Sequence, residues 1–166
     1  MDYLPEPLPL DSLSQALGQH LLLRKWHVAT AESCTGGGLA AAMTQVAGSS
    51  AWFECGIISY GNRIKQKLLN VSADVLAEDG AVSEAVVMQM VKGVLGLSDA
   101  DIAVAVSGIA GPSGGTKDNP IGTVWFAWAH TNGEVRTQVF HFVGDRVQIQ
   151  HQAIAQGLRG LLTFFD

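Results

Sequence analysis

Ala31-Glu32-Ser33-Cys34-Thr35-Gly36-Gly37-Gly38 gathers two small hydroxyls, a thiol and three consecutive glycines at one bend of the chain. Glycine lets backbone approach a ligand closely. A helix starting there presents its N–H groups and the positive end of its dipole to an anion. Ser33, Thr35, Gly36 and Gly37 therefore form a candidate strand–turn–helix anion site. The alternative is a tight turn whose glycines only let a helix pack on a sheet. The segment is not a phosphate loop, because no Lys-Ser or Lys-Thr follows the glycines, and the glycine spacing of a dinucleotide fingerprint is missing.

Three nucleophile systems compete. A Ser-His-Asp triad lacks its Gly-x-Ser-x-Gly elbow. Cys34 would lie near a helix N-terminus, where the dipole lowers a thiol pKa, although an inert packed thiol is the commoner fate of a lone cysteine. The third system is a serine activated by lysine. Ser50 ends the Gly48-Ser49-Ser50 turn, Lys65 follows one strand later, and Tyr60 ends the strand between them. Across a strand of about 17–20 Å, the three meet only if the chain folds back. Each also has an ordinary reading, as a helix cap, a surface lysine and a strand-end tyrosine.

Composition narrows the classes. With 166 residues, 48% hydrophobic and 15% charged, the chain is expected to form one compact domain over 11–166 after a loose lead-in at 1–10. MDYLPEPLPL lacks the basic region of a secretory signal. No apolar run is long enough to cross a bilayer. A net charge of −5 without a lysine/arginine cluster argues against a nucleic-acid surface but leaves a small anionic substrate open. Cys34 and Cys55 fit free thiols in a reducing cytoplasm. Neither they nor the scattered His20, His27, His130, His141 and His151 have metal-ligand spacing, so no metal is expected.

The elements that must position these groups follow from periodicity. Asp11 or Ser12 can cap a first helix ending near Lys25, and Trp26 to Ala31 is a strand. Gly36 to Val46 is a small-residue helix and Gly56 to Tyr60 a strand. Asn62 to Leu69 is helical, Ser72 caps a short helix through Glu78, and Ser83 caps a longer one with Val86, Val87, Met90, Val91, Val94 and Leu95 inward. Asp101 to Val106 and Gly122 to Ala129 are strands apolar on both faces. Asn132-Gly133 marks a hairpin returning over Glu134 to Phe142, and Gly144-Asp145-Arg146 opens a last helix to about Leu162. The pattern predicts an α/β fold, a single-domain α/β/α sandwich on a mixed, partly parallel sheet with one late antiparallel hairpin. Ser107-Gly108-Ile109-Ala110-Gly111 is a second glycine-rich loop after a strand, and both such loops belong at a ligand crevice.

Glu32-Ser33-Cys34-Thr35-Gly36-Gly37, Ala47-Gly48-Ser49-Ser50-Ala51-Trp52-Phe53, Tyr60-x-Asn62-x-x-Lys65, Gly80-Ala81-Val82-Ser83, Ser107-Gly108-Ile109-Ala110-Gly111-Pro112, Pro120-Ile121-Gly122-Thr123-Val124 and Gly144-Asp145-Arg146 resemble, in order, the blocks of the CinA C-terminal family. The resemblance covers roughly residues 11–165 and is closest to stand-alone members. It implies hydrolysis of nicotinamide mononucleotide to nicotinate mononucleotide and ammonia, without metal or cofactor, in pyridine-nucleotide recycling. A non-catalytic nucleotide-binding module of the same family is the alternative. Carried over by position, Ser50 is the nucleophile, Lys65 its base and Tyr60 their polar partner. Ser33, Thr35, Gly36, Gly37, Ser49, Ser107, Gly108, Ala110, Gly111 and Arg146 line the pocket. A small nucleotide is the expected partner, with neither nucleic acid nor membrane, and a homo-oligomer is left open.

Overall fold

A computed structural model describes residues 9–166; the lead-in expected at 1–10 lies outside these residues except for Pro9 and Leu10. The elements are α1 (Leu10–Arg24), β1 (Val28–Glu32), α2 (Gly38–Thr44), a 3-10 turn (Ser49–Ala51), β2 (Phe53–Ile58), α3 (Asn62–Leu69), α4 (Ala73–Asp79), α5 (Glu84–Leu97), β3 (Ile102–Gly108), β4 (Thr123–His130), β5 (Val135–His141), α6 (Arg146–Leu162) and a closing 3-10 turn (Thr163–Phe165). The sheet runs β2-β1-β3-β4-β5. Its first three strands are parallel, with Val28 opposite Ile102, and the last three antiparallel, with Val106 opposite Phe126. It is the mixed, helix-flanked sheet with a late hairpin that the residue pattern predicts.

Alternation along the strands divides the core. Val28, Ile102, Val104, Val106, Phe126 and Trp128 face α1, α2 and α6, where they meet Leu17, Leu39, Met43, Ile149 and Leu158. With Cys55, Ile57, Trp125 and Val135 at the margins, the fully buried hydrophobic strand residues of the opposite face are all alanine: Ala29, Ala31, Ala103, Ala105, Ala127 and Ala129 pack under Val86, Val87, Met90, Val91 and Val94 of α5. Such small side chains let α5 lie close to the sheet. Each of those buried α5 side chains contributes about 1.5–3 kcal/mol.

Several ends differ from expectation. Pro9, not Asp11 or Ser12, precedes α1, and among the described residues no side chain caps it; both polar residues lie inside the first turn. Gly36 and Gly37 have φ of 58° and 96°, so α2 cannot begin before Gly38. β2 begins three residues earlier than Gly56 and stops at Ile58, leaving Ser59 and Tyr60 beyond the strand. Ser72 and Ser83 cap α4 and α5 as expected, through the N–H groups of Val75 and Val86. Asp145 and Gln148 form a reciprocal capping box on α6.

The order β2-β1-β3 makes β1 the point from which the chain departs in opposite directions. In open α/β sheets, the crevice beyond the strand ends at such a switch is the usual ligand site. Ser33, Ser59 and Ser107 all lie there, at the carboxyl ends of β1, β2 and β3.

Candidate active site

Lys65 sits in the first turn of α3, yet only 1% of it is exposed. Its Nζ donates to the carbonyls of Ser59 (2.7 Å) and Tyr60 (3.1 Å) and to Ser33 Oγ (3.1 Å). Three acceptors suit the three N–H groups of an ammonium. A neutral amine has two N–H groups and a lone pair. With the two carbonyls keeping the N–H groups, the lone pair faces the Ser33 hydroxyl. Burial holds the Lys65 pKa below the ordinary lysine value, with Cys34 acting in the opposite sense. Both the proton inventory and the desolvation therefore suit a general base.

The expected Ser50–Lys65 pairing is not formed. Ser50 is exposed in the 3-10 turn before β2, next to Trp52, whose carbonyl accepts the N–H of Val28 at the start of β1. Lys65 touches the chain just after β2 ends. Six residues at about 3.3 Å each put roughly 20 Å of strand between them. Ser49 shares the displaced turn, so neither it nor the N–H groups of Gly48 to Ser50 face the lysine. Parallel pairing instead brings the ends of β1 and β2 side by side, and Ser33 takes the position expected of Ser50.

The glycine-rich turn is also not an open anion site. Glu32, fully buried, turns its carboxylate back onto α2, accepting the N–H groups of Leu39 (2.9 Å) and Ala40 (3.0 Å). Gly38 and Ala41 donate to the carbonyls of Thr35 and Gly37. The N–H groups of Gly38, Leu39, Ala40 and Ala41 are thus all taken within the protein. Thr35 Oγ1 donates to Glu32 at 2.7 Å, and Thr35, Gly36 and Gly37 stand outside the cavity wall. The same arrangement overturns an activated Cys34. Burial pushes its thiol up to about 12, assisted by the Glu32 carboxylate and opposed by a backbone hydrogen bond, Lys65 and Arg146.

A cavity of about 340 Å³ opens over the pair. Ser33, Cys34, Tyr60 and Lys65 form one side, Ala81 and Val82 before α5 another, and Ser107 to Gly111 with Ser113 and Gly114 a third. Arg146 closes the ring from the first residue of α6. Its guanidinium donates to the Gly111 carbonyl (2.7 Å) and to Tyr60 Oη (3.2 Å). Gln150, one turn later, donates to the Cys34 carbonyl at 2.9 Å. Among the described residues no carboxylate lines this cavity in a chain of net charge −5, so the Arg146 guanidinium makes it locally attractive to anions.

Of the residues singled out in the sequence, the fold thus gathers Ser33, Tyr60, Lys65, Ser107, Gly108, Ala110, Gly111 and Arg146 around one space. Residue patterns assigned no part to Ser59 or Gln150, and nothing but the Gly-rich block drew notice to Glu32. Among the described residues, no group of three or more His, Cys, Asp or Glu side chains is placed to hold a metal ion, and no helix is long and apolar enough to cross a membrane.

The fold and the buried serine–lysine contact define a small α/β protein with a cavity at its switch point. Comparison with known proteins identifies the family: the model of the CinA C-terminal domain matches residues 10–165, and the chain belongs to that family. It is 49% identical over 156 residues to the nicotinamide-nucleotide amidohydrolase PncC of Escherichia coli (strain K12), covering 94% of each chain. It is 47% identical to the protein of the same name from Pseudomonas putida, covering 93% of this chain and 96% of the relative. Among solved structures, the competence/damage inducible protein CihA from Agrobacterium tumefaciens superimposes with a TM-score of 0.94 at 35% identity over the full length of both chains.

Proposed function

We propose that this chain is a nicotinamide-nucleotide amidohydrolase, converting nicotinamide mononucleotide and water to nicotinate mononucleotide and ammonia. The observation that carries the reading is the contact between Lys65 Nζ and Ser33 Oγ at the floor of a cavity with Arg146 at its rim. The names of the relatives supply the substrate class.

In this reading the neutral Lys65 amine takes the Ser33 proton as Oγ attacks the carboxamide carbon. The resulting ammonium gives a proton to the departing nitrogen, and ammonia leaves a nicotinoyl ester on Ser33. Water, deprotonated by the regenerated amine, then attacks the ester; the carbonyl–Oγ bond breaks, the Lys65 ammonium returns its proton to Ser33 Oγ, and the nicotinate product leaves. Cys34, immediately after the nucleophile, lines the cavity, and its N–H is the proposed donor to the tetrahedral oxyanion, a role worth about 10²–10³ in rate. Arg146 and the Ser107–Gly111 loop receive the 5′-phosphate, because α2 already has its anion in Glu32. The pyridinium charge of the substrate withdraws electrons from the carboxamide and eases attack. In this reading the chain serves pyridine-nucleotide recycling in the cytoplasm, a reducing setting that the free thiols of Cys34 and Cys55 fit.

The test is incubation of the purified chain with nicotinamide mononucleotide and a chelator, measuring ammonia and nicotinate mononucleotide together. Equimolar release of both supports the reading. Thermal stabilisation by the nucleotide without either product would make the chain a binding module and sink it.

A further inference from the structure

Glu32 is a buried charge that the chemistry above does not use, and its surroundings are unusually complete. One carboxylate oxygen accepts Thr35 Oγ1 (2.7 Å) and the Leu39 N–H (2.9 Å); the other accepts Thr30 Oγ1 (3.1 Å) and the Ala40 N–H (3.0 Å). The main-chain carbonyl of the same residue accepts the Ser59 N–H at 2.8 Å and Ser59 Oγ at 3.4 Å. Ser59 in turn presents its carbonyl to Lys65 Nζ. Glu32 thus grips the serine-bearing turn through its side chain and the lysine-bearing segment through its backbone. Burying a carboxylate is costly, and elsewhere in this chain short Ser72, Ser83 and Asp145 side chains cap helices from beside the first turn. Glu32 reaches α2 from seven residues away, tying strand, turn and helix into one piece.

We propose that Glu32 is a positioning residue that holds the Ser33 turn in register with Lys65. The proposal rests on the serine–lysine reading of the site. In Glu32→Gln, whichever way the carboxamide is turned, its NH₂ confronts the N–H of Leu39 or of Ala40, and one donor is orphaned. Thr35→Val removes a single donor from the carboxylate, and Thr35→Ser restores it.

The experiment measures kcat and KM with nicotinamide mononucleotide, and the rate at which a small phosphonofluoridate labels Ser33, read by mass spectrometry. Only variants whose circular dichroism and melting show folded protein at the assay temperature are compared. Glu32→Gln is expected to lower kcat about ten- to a hundredfold with KM within about twofold, the signature of a misplaced reacting group. Labelling of Ser33 should slow in parallel. Thr35→Val should show a smaller fall that Thr35→Ser reverses. Folded Glu32→Gln and Thr35→Val proteins with wild-type kcat and labelling would overturn the proposal; if the first does not fold, wild-type kcat and labelling in Thr35→Val overturn it alone. Should the wild-type chain release no ammonia, the amidase reading falls, and labelling of Ser33 still decides the role of Glu32.

Discussion

Lys65 Nζ lies 3.1 Å from Ser33 Oγ, and both remaining partners of that nitrogen are main-chain carbonyls. No carboxylate among the described residues pairs with the lysine, so nothing anchors its charge. Replacing either member of the pair removes the nucleophile or its base. Ser33→Ala and Lys65→Ala are each expected to lower kcat about 10³-fold or more. Ser50→Ala, at the far end of β2, should stay within about twofold, the usual range for an exposed residue away from the chemistry. Ammonia release by the three purified variants checks this, and loss of activity in Ser50→Ala alone would reassign the nucleophile.

The protonation state of Lys65 fixes the direction of the pH profile. A base works when deprotonated, so kcat/KM should rise with pH and level off above the lysine pKa. Burial lowers that pKa, and the midpoint of the rise should fall below the ordinary lysine value of about 10.4. A pH–rate profile of the free enzyme decides it. A midpoint at or above the ordinary value would mean that the cavity does not neutralise the amine.

Cys34 ties stability to pH. Its pKa rises from 9.0 to about 12 on folding, mainly through burial. Above the unfolded value the unfolded chain loses a proton that the folded chain keeps, so the stability it contributes falls as pH climbs through that window. In Cys34→Ala that alkaline loss disappears, and the stability gap between wild type and variant should narrow from pH 9 upward. Urea midpoints across that range test it. The variant should also retain turnover, since a thiol held protonated does not attack.

Gly160 offers a check on the packing itself. Glycine to alanine within a helix ordinarily stabilises by about 1 kcal/mol. Here a Cβ would meet the Trp128 ring at 2.0 Å, and that indole is held by its Nε1 donating to the Gly157 carbonyl at 2.9 Å. With the ring unable to swing away, Gly160→Ala should destabilise by about 1–3 kcal/mol. Thermal melting gives the sign, and a raised melting temperature would show that the α6–β4 contact is looser than it stands here.

Periodicity and turn chemistry made most of the scaffold legible: the two-faced apolar run over Ile102–Val106, the Asn132-Gly133 hairpin and the serine caps of α4 and α5 are local signals with local outcomes. The site was legible as a set of residues, not as a pairing. Ser50 and Lys65 are 15 positions apart and Ser33 and Lys65 are 32, yet parallel strands bring the more distant pair together. Strand direction, decided by the crossover through α2, outranks separation along the chain. Glu32 was illegible for a similar reason: no propensity rule anticipates a strand-end carboxylate capping a helix seven residues on. The glycine turn that looked open to an anion was already occupied.

Arg146 is where the substrate's phosphate is proposed to bind, and its geometry predicts a division between the kinetic constants. One nitrogen is committed to the Gly111 carbonyl and another to Tyr60 Oη, which fixes the guanidinium plane and leaves its remaining N–H groups for a ligand. A lysine has the charge without the fork, and cannot hold both neighbours and a phosphate in the same plane. Arg146→Lys should therefore raise KM about ten- to a hundredfold, the equivalent of one charge-assisted hydrogen bond of about 1.5–3 kcal/mol, with a smaller change in kcat. Tyr60→Phe removes only the restraint on the guanidinium and should raise KM less. The discriminating control is nicotinamide riboside, which lacks the phosphate. Its kcat/KM should be low in the wild type and nearly unchanged by Arg146→Lys. An equal loss with both substrates would move Arg146 from phosphate binding to the integrity of the cavity wall.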